Sequence, residues 1–231
     1  MADPRALGFE FDQSVRALGV VGTYFVLMGV ENRERDGDFE QYKETVLSSL
    51  WEPYSADGFV GNDAILSGFR GLHTAVGRSN RRFPSAPEVL VSRFIRTKSL
   101  PHINLLVDIY NLVSLRSRLA LGAHDVAKID GAVSLKVLLG HETFVPLGSD
   151  ATEPVFPGEY SYVDASDDVI CRMEVLQVEK TKVDLACRHA FYIVQGNGAT
   201  SAEMVRGVGE ELIMLTQKYC GGEVRMLYSP E

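Results

Sequence analysis

The sequence is poor in several features that would fix a function. Its three cysteines, Cys171, Cys187 and Cys220, are odd in number and widely spaced. They supply neither a disulfide framework nor metal-ligand spacing, so buried free thiols are expected. Cys-x-x-Cys, Gly-x-Gly-x-x-Gly, P-loop, Gly-x-Ser-x-Gly and His-Glu-x-x-His patterns are all missing. Dinucleotide redox chemistry, nucleotide hydrolysis, serine-elbow hydrolysis and zinc peptidase chemistry therefore lose support. No cofactor and no metal is predicted. Long apolar runs are also lacking. The longest near the start, residues 17–30, is interrupted by glycines and Thr23 and is too short for a bilayer. The N-terminus has no basic region followed by an apolar stretch and cleavage site, which predicts a cytoplasmic protein that makes no membrane contact.

What remains is an ordinary globular composition. The 231 residues are 45% hydrophobic and 23% charged, without repeat, low-complexity tract or linker, and a single unit over residues 1–231 is expected. A net charge of −8 argues against non-specific coating of nucleic acid. The charge is uneven, however. Arg70, Arg78, Arg81, Arg82, Arg93, Arg96 and Lys98 share a stretch in which Glu88 is the only acid. Such a patch suits a partner engaged through a few phosphates. It equally suits an arginine-rich solvated face with internal ion pairs.

Apolar spacing predicts a buried strand over residues 20–30, a helix over 38–50 started by Asp36 or Asp38, a loop over 51–61 and a helix over 62–76. Residues 77–84 read as a basic turn-rich loop. Ser85 and Glu88 match a capping box for a helix to about Thr97, and Lys98 to Pro101 breaks it. A helix over 103–115 follows, with Ile103, Leu106, Val107, Tyr110 and Ser114 on one face. Strands are expected over 132–139, 143–147, 159–163, 169–175, 189–194 and 224–228, with a helix over 200–219. Helices and strands come in runs, which favours α+β over a doubly wound sheet.

Residues 99–125 stand out. They are apolar almost throughout, yet they contain His102, Asn104, Asp108, Asn111, Ser114 and His124. Each of these groups costs free energy when buried unless it is hydrogen-bonded, so the fold or a ligand must satisfy it. The histidines, with His73, His141 and His189, are scattered, and a lone histidine is more often structural than a ligand.

This stretch, LPHINLLVDIYNLVSLRSRLALGAHD, followed by IDGAVSLKVLLGHETFVPLG and GEYSYVDASDDVICR, resembles the B3/B4 domain of the phenylalanyl-tRNA synthetase β subunit, and in particular free-standing proteins made of that domain. FRGLHTAVGRSNRRFPSAPEVLVSRFIRTKSLP fits the region upstream of the core in those proteins. The resemblance covers residues 20–196, with a helix and strand over 200–228 expected to pack on it. It implies a largely antiparallel central sheet flanked by helices. It also implies an editing function: hydrolysis of the ester of a mischarged aminoacyl-tRNA, with no cofactor, and an aminoacyl-tRNA synthetase as a candidate partner.

The family's Val-Asp-x-Thr-Asn reads Val107-Asp108-Ile109-Tyr110-Asn111 here, and its His-Ala-Phe-Asp element reads His124-Asp125. The resemblance thus implies Asn111 and His124 as the catalytic pair. His124 either orients water and ribose or acts as a general base. Asn104, Tyr110, Ser114 and Arg172 are expected at the substrate pocket, although Arg172 could instead pair structurally with Asp164 or Glu159. Arg78, Arg81, Arg82, Arg93 and Arg96 are expected to contact tRNA. The family's glycine pair is replaced around Cys171-Arg172-Met173, and its tyrosine-reading glutamate is missing near Tyr192-Ile193. These departures imply an amino acid other than tyrosine. They also keep two further readings open, a non-catalytic tRNA- or amino-acid-binding module and a scaffold that has lost the site.

Overall fold

The computed structural model describes residues 4–231. In chain order the elements are β1 (Phe9–Phe11), α1 (Gln13–Ala17), β2 (Val21–Met28), α2 (Gly37–Tyr54), α3 (Phe59–Asn62), α4 (Ala64–Ala75), α5 (Ala86–Thr97), α6 (Leu105–Ser117), β3 (Ala120–Asp125), β4 (Val133–Val137), β5 (Tyr160–Val163), β6 (Val169–Arg172), β7 (Leu176–Gln177), β8 (His189–Gly196), α7 (Ala202–Cys220) and β9 (Glu223–Tyr228). They form two sheets. One runs β3-β8-β2-β9, antiparallel throughout; the other runs β1-β4-β5-β6-β7, parallel only between β1 and β4. The architecture is α+β.

The sequence of β2 shows why the first sheet sits at the centre. Thr23 to Leu27 are buried without alternation, so both faces are covered. On one face Phe25 stacks on Tyr192 of β8 at 5.2 Å, and α7 approaches so closely that a Cβ on Gly209 would lie 3.0 Å from Thr23. On the other face Tyr24 meets Phe9 of β1 at 4.1 Å and Tyr162 of β5 at 5.9 Å, which joins the two sheets through aromatic rings. In the register of β3 on β8, Ala120, Gly122 and His124 lie opposite Gln195, Ile193 and Phe191. Directly opposed residues of an antiparallel pair share a face.

Several expectations are corrected. Residues 51–61 are not all loop: α2 continues through Pro53 to Tyr54, and α3 follows. Tertiary contacts override the proline, because the Tyr54 hydroxyl donates to Leu115 O at 2.6 Å and its ring stacks on Phe59 at 4.5 Å. Ser85 does start α5, but its side chain makes no capping bond, and Glu88 bonds Arg70 at 2.8 Å instead. Ile103 is 58% exposed, since α6 begins only after Asn104 and helical periodicity does not reach back to it. Residues 143–147 form isolated bridges at Thr143 and Pro146 rather than a strand.

A candidate active site at the edge of the central sheet

Strand β3 is an edge strand of the central sheet. Beside it, between α6 and the β6–β7 hairpin, lies a half-open cavity of about 150 Å³. A space of that volume accepts a benzene-sized group. Ala120, Gly122 and Ile193 supply apolar wall, as do Cys171 and Met173. Burial pushes the Cys171 thiol up to about 12, so it stays protonated and serves as wall rather than nucleophile.

The depth of the cavity is polar and internally paired. Met173 adopts φ +49° and turns the hairpin at Met173–Val175, so that the side chain of Glu174 points inward and is 1% exposed. The Glu174 carboxylate accepts from His73 Nε2 of α4 and from the Tyr160 hydroxyl. It also accepts from Gln195 Nε2 at 3.0 Å. Gln195 Oε1 accepts in turn from the Tyr162 hydroxyl at 2.6 Å. Burial opposes a charge on His73, but the hydrogen bond and charge of Glu174 outweigh it and raise its pKa. Burial and Glu174 together hold the Tyr160 hydroxyl protonated. The backbone carbonyl of Glu174 also accepts from Ala86 N at 2.8 Å, which ties the start of α5 to the cavity.

The rim is different. Asn111 of α6 and Gln177 of β7 are half-buried, both line the cavity, and neither side chain has a partner among the described residues. Tyr110 lines the cavity beside Asn111.

The other residues expected at the site lie elsewhere. His124 is not among the residues that line the cavity with Asn111. Its ring is fully buried deeper along β3, with Nδ1 2.8 Å from Thr181 Oγ1 and Phe191 packed against it. Burial pushes its pKa down to about 3, so the imidazole is neutral. Asn104 is the N-cap of α6: its Oδ1 accepts from Val107 N at 3.1 Å, and its Nδ2 donates to Val183 O at 3.2 Å. The Ser114 hydroxyl donates to Leu119 O at 2.7 Å, closing the turn from α6 into β3. Asp108 accepts from Ile103 N at 2.9 Å and faces His102 Nδ1 at 2.6 Å. Arg172 takes its structural alternative, with Nε and Nη2 each 3.0 Å from the buried Glu159 carboxylate.

Among the expected tRNA contacts, Arg78 is also held by Glu159 and packs over Phe83 and Phe156, 4.6 and 4.1 Å from the ring centroids. It anchors the 77–84 loop rather than projecting from it. Arg81, Arg82, Arg93 and Arg96 are exposed, and their side chains are unpaired among the described residues. Ala86 lines the cavity, and Arg93 follows it on α5 by seven residues, roughly 10 Å of helix rise.

Asp130, Asp164 and Asp168 cluster closely enough to hold a cation, but Lys180 Nζ already lies 2.7 to 2.8 Å from all three. Of the cavity residues, sequence reasoning missed Glu174, Gln195 and Gln177. None lies in a recognisable motif, and only the folding of β6, β7 and β8 brings them together. Among the described residues no helix is long and apolar enough to cross a membrane.

Comparison with known proteins agrees with this architecture. The sequence profile of the B3/4 domain matches residues 70–218. No curated protein matches the chain. Among solved structures, an N-terminal fragment of the phenylalanyl-tRNA synthetase β-subunit from Pyrococcus horikoshii superimposes with a TM-score of 0.50 at 14% identity. The match covers 95% of this chain and 50% of that one, so the chain spans about half the length of the fragment it resembles. The fold is shared at low identity, and the profile spans well over half the sequence: the chain belongs to the B3/4 domain family.

Proposed function

We propose that the chain is a trans-acting hydrolase that removes the amino acid from mischarged aminoacyl-tRNA, working in the cytoplasm as one B3/4 unit with α7 and β9 packed on it. The observation that carries this reading is Asn111: an unpartnered carboxamide at the mouth of a half-open cavity sized for an amino-acid side chain. An aminoacyl ester is already activated, so its hydrolysis needs position and charge stabilisation more than a covalent nucleophile. Water adds to the ester carbonyl carbon, and the carbonyl oxygen becomes an oxyanion. The bond to the ribose oxygen then breaks, and that oxygen takes a proton to leave free amino acid and tRNA. Asn111 offers an N–H donor for the oxyanion or an oxygen that orients the water. The adjacent ribose hydroxyl relays the proton. His124 has no part in this scheme.

Arg81, Arg82, Arg93 and Arg96 would hold tRNA phosphates, positioning the 3′ end without reading sequence. A synthetase that makes the mischarged tRNA is the natural companion.

A second reading, binding without turnover, is favoured by the state of Glu174. The one carboxylate at the cavity already accepts three hydrogen bonds, and no histidine joins it there as a free base. A deacylation screen of purified protein against cognate and mischarged aminoacyl-tRNAs separates the two. Turnover of at least one substrate, lowered about 100-fold by Asn111→Ala, supports the hydrolase. Tight binding with no turnover of any substrate supports the binding module.

A further inference from the structure

The amides at this cavity fall into two groups. Gln195 is fully buried, with both ends of its carboxamide bonded. Other buried amides are also engaged: Asn32 donates to Asp184 O, Asn104 to Val183 O and Asn197 to Ile65 O. Asn111 and Gln177 are the exceptions at the rim, half-buried and without partners. They come from opposite walls. In the register of β7 on β6, Gln177 pairs with Cys171, so both side chains face the cavity. The Gln177 carboxamide then reaches across edge strand β3 at Gly122, where an added Cβ would lie 2.5 Å from Gln177 Nε2. The missing side chain at Gly122 is what lets this amide lie there.

An amino acid esterified to a polynucleotide can enter a 150 Å³ space only side chain first. The ester and the terminal ribose then stop at the mouth, between Asn111 and Gln177. Each carboxamide presents a donor and an acceptor, which suits a carbonyl oxygen beside a ribose hydroxyl that both donates and accepts. We infer that Gln177 is a second substrate-positioning residue, forming with Asn111 a two-amide clamp on the aminoacylated ribose of an RNA 3′ end. This deepens the aminoacyl-tRNA reading above and rests on it.

The test uses 3′-aminoacylamino-3′-deoxyadenosine probes, which cannot be hydrolysed, carrying alanyl, valyl or phenylalanyl groups and titrated into the 15N-labelled full chain. The side-chain NH₂ signals of Asn111 and Gln177 should move together on binding. Gln177→Ala should weaken binding about tenfold. Gly122→Ala, which displaces the Gln177 amide without changing it, should do the same, with the thermal midpoint of each variant checking the fold. The double variant Asn111→Ala/Gln177→Ala should lose less than the product of the single losses. Removing the 2′-hydroxyl from the probe should weaken wild type but not the double variant. If a probe shifts Ala120 and Ile193 while Gln177→Ala binds like wild type, the clamp is overturned and the aminoacyl reading stands. If no probe binds and no aminoacyl-tRNA is bound or deacylated, both are overturned.

Discussion

His73 and His124 are both buried imidazoles within one core, and their surroundings drive them in opposite directions. His73 lies behind the cavity against the Glu174 carboxylate, and its pKa is raised. His124 lies further along β3 against a neutral hydroxyl and an aromatic ring, and burial alone lowers its pKa to about 3. Burial cannot by itself assign a histidine's charge; a charged neighbour decides it. The polar region built on Glu174 is poised around a cavity, whereas the apolar region built on His124 is a brace.

The largest effect should come from breaking the polar region. Glu174→Ala strips the carboxylate from His73, Tyr160 and Gln195 at once and leaves three buried donors unsatisfied. Removing one partner of a buried pair costs about 3–5 kcal/mol, and chemical denaturation should show a loss of that order. Thr181→Val, which removes only the neutral partner of His124, should cost about 1–3 kcal/mol. Equal losses would mean that the two regions do not differ in the way their pKa directions require.

Acidity sharpens the same contrast. His124 titrates near 6.5 when unfolded and near 3 when folded, so the unfolded chain binds the extra proton between those values. Its contribution is intact above pH 6.5 and is lost as pH falls, at about 1.4 kcal/mol per pH unit. His73 has the opposite sign. Its stabilisation is present below the unfolded value and fades as pH rises through its raised folded value. Unfolding free energies of wild type and His124→Phe between pH 6.5 and 5 should therefore differ in slope by that amount, roughly 2 kcal/mol across the window. Parallel curves would place a charged or solvated His124 in the folded protein.

The same two regions show what the sequence could disclose. Strand β2, helices α4 to α7 and strand β8 follow from apolar periodicity, because burial on one face or two leaves a regular imprint. Asn111 stood out because a polar residue in an apolar helix needs a reason. His124 stood out for the same reason, but its position in a motif does not say which way a strand residue points or what covers it. Glu174 and Gln177 come from one short hairpin and Gln195 from β8, and no motif in the chain links that hairpin to the distant strand. The loop expected over residues 51–61 gives way in part because the local effect of Pro53 yields to the anchoring of Tyr54 on Leu115 and Phe59.

A smaller effect separates the arginines. Arg78→Ala removes a cation from the buried Glu159 and its packing on two rings, and should cost about 1–2 kcal/mol in denaturation. Replacing Arg81 and Arg82 together should leave stability unchanged but flatten the salt dependence of tRNA binding by about two phosphate contacts' worth. If the pair variant leaves the salt slope untouched, the exposed arginines are a solvated face and Arg93 and Arg96 become the next residues to replace.

A similarly small effect on stability is expected at Asn111. Its carboxamide has no partner in the protein and reaches solvent at the cavity mouth, so truncation breaks no internal bond. Asn111→Ala should shift the unfolding free energy by no more than about 0.5 kcal/mol. A structural amide would behave otherwise, because Asn104, bonded at both ends, should lose about 1 kcal/mol or more on the same change. Unchanged stability at Asn111, together with lost binding or turnover, would mark a side chain held ready for a ligand. A destabilised Asn111→Ala would place the residue with Asn104 and His124 among the braces, and would leave Gln177 alone at the rim.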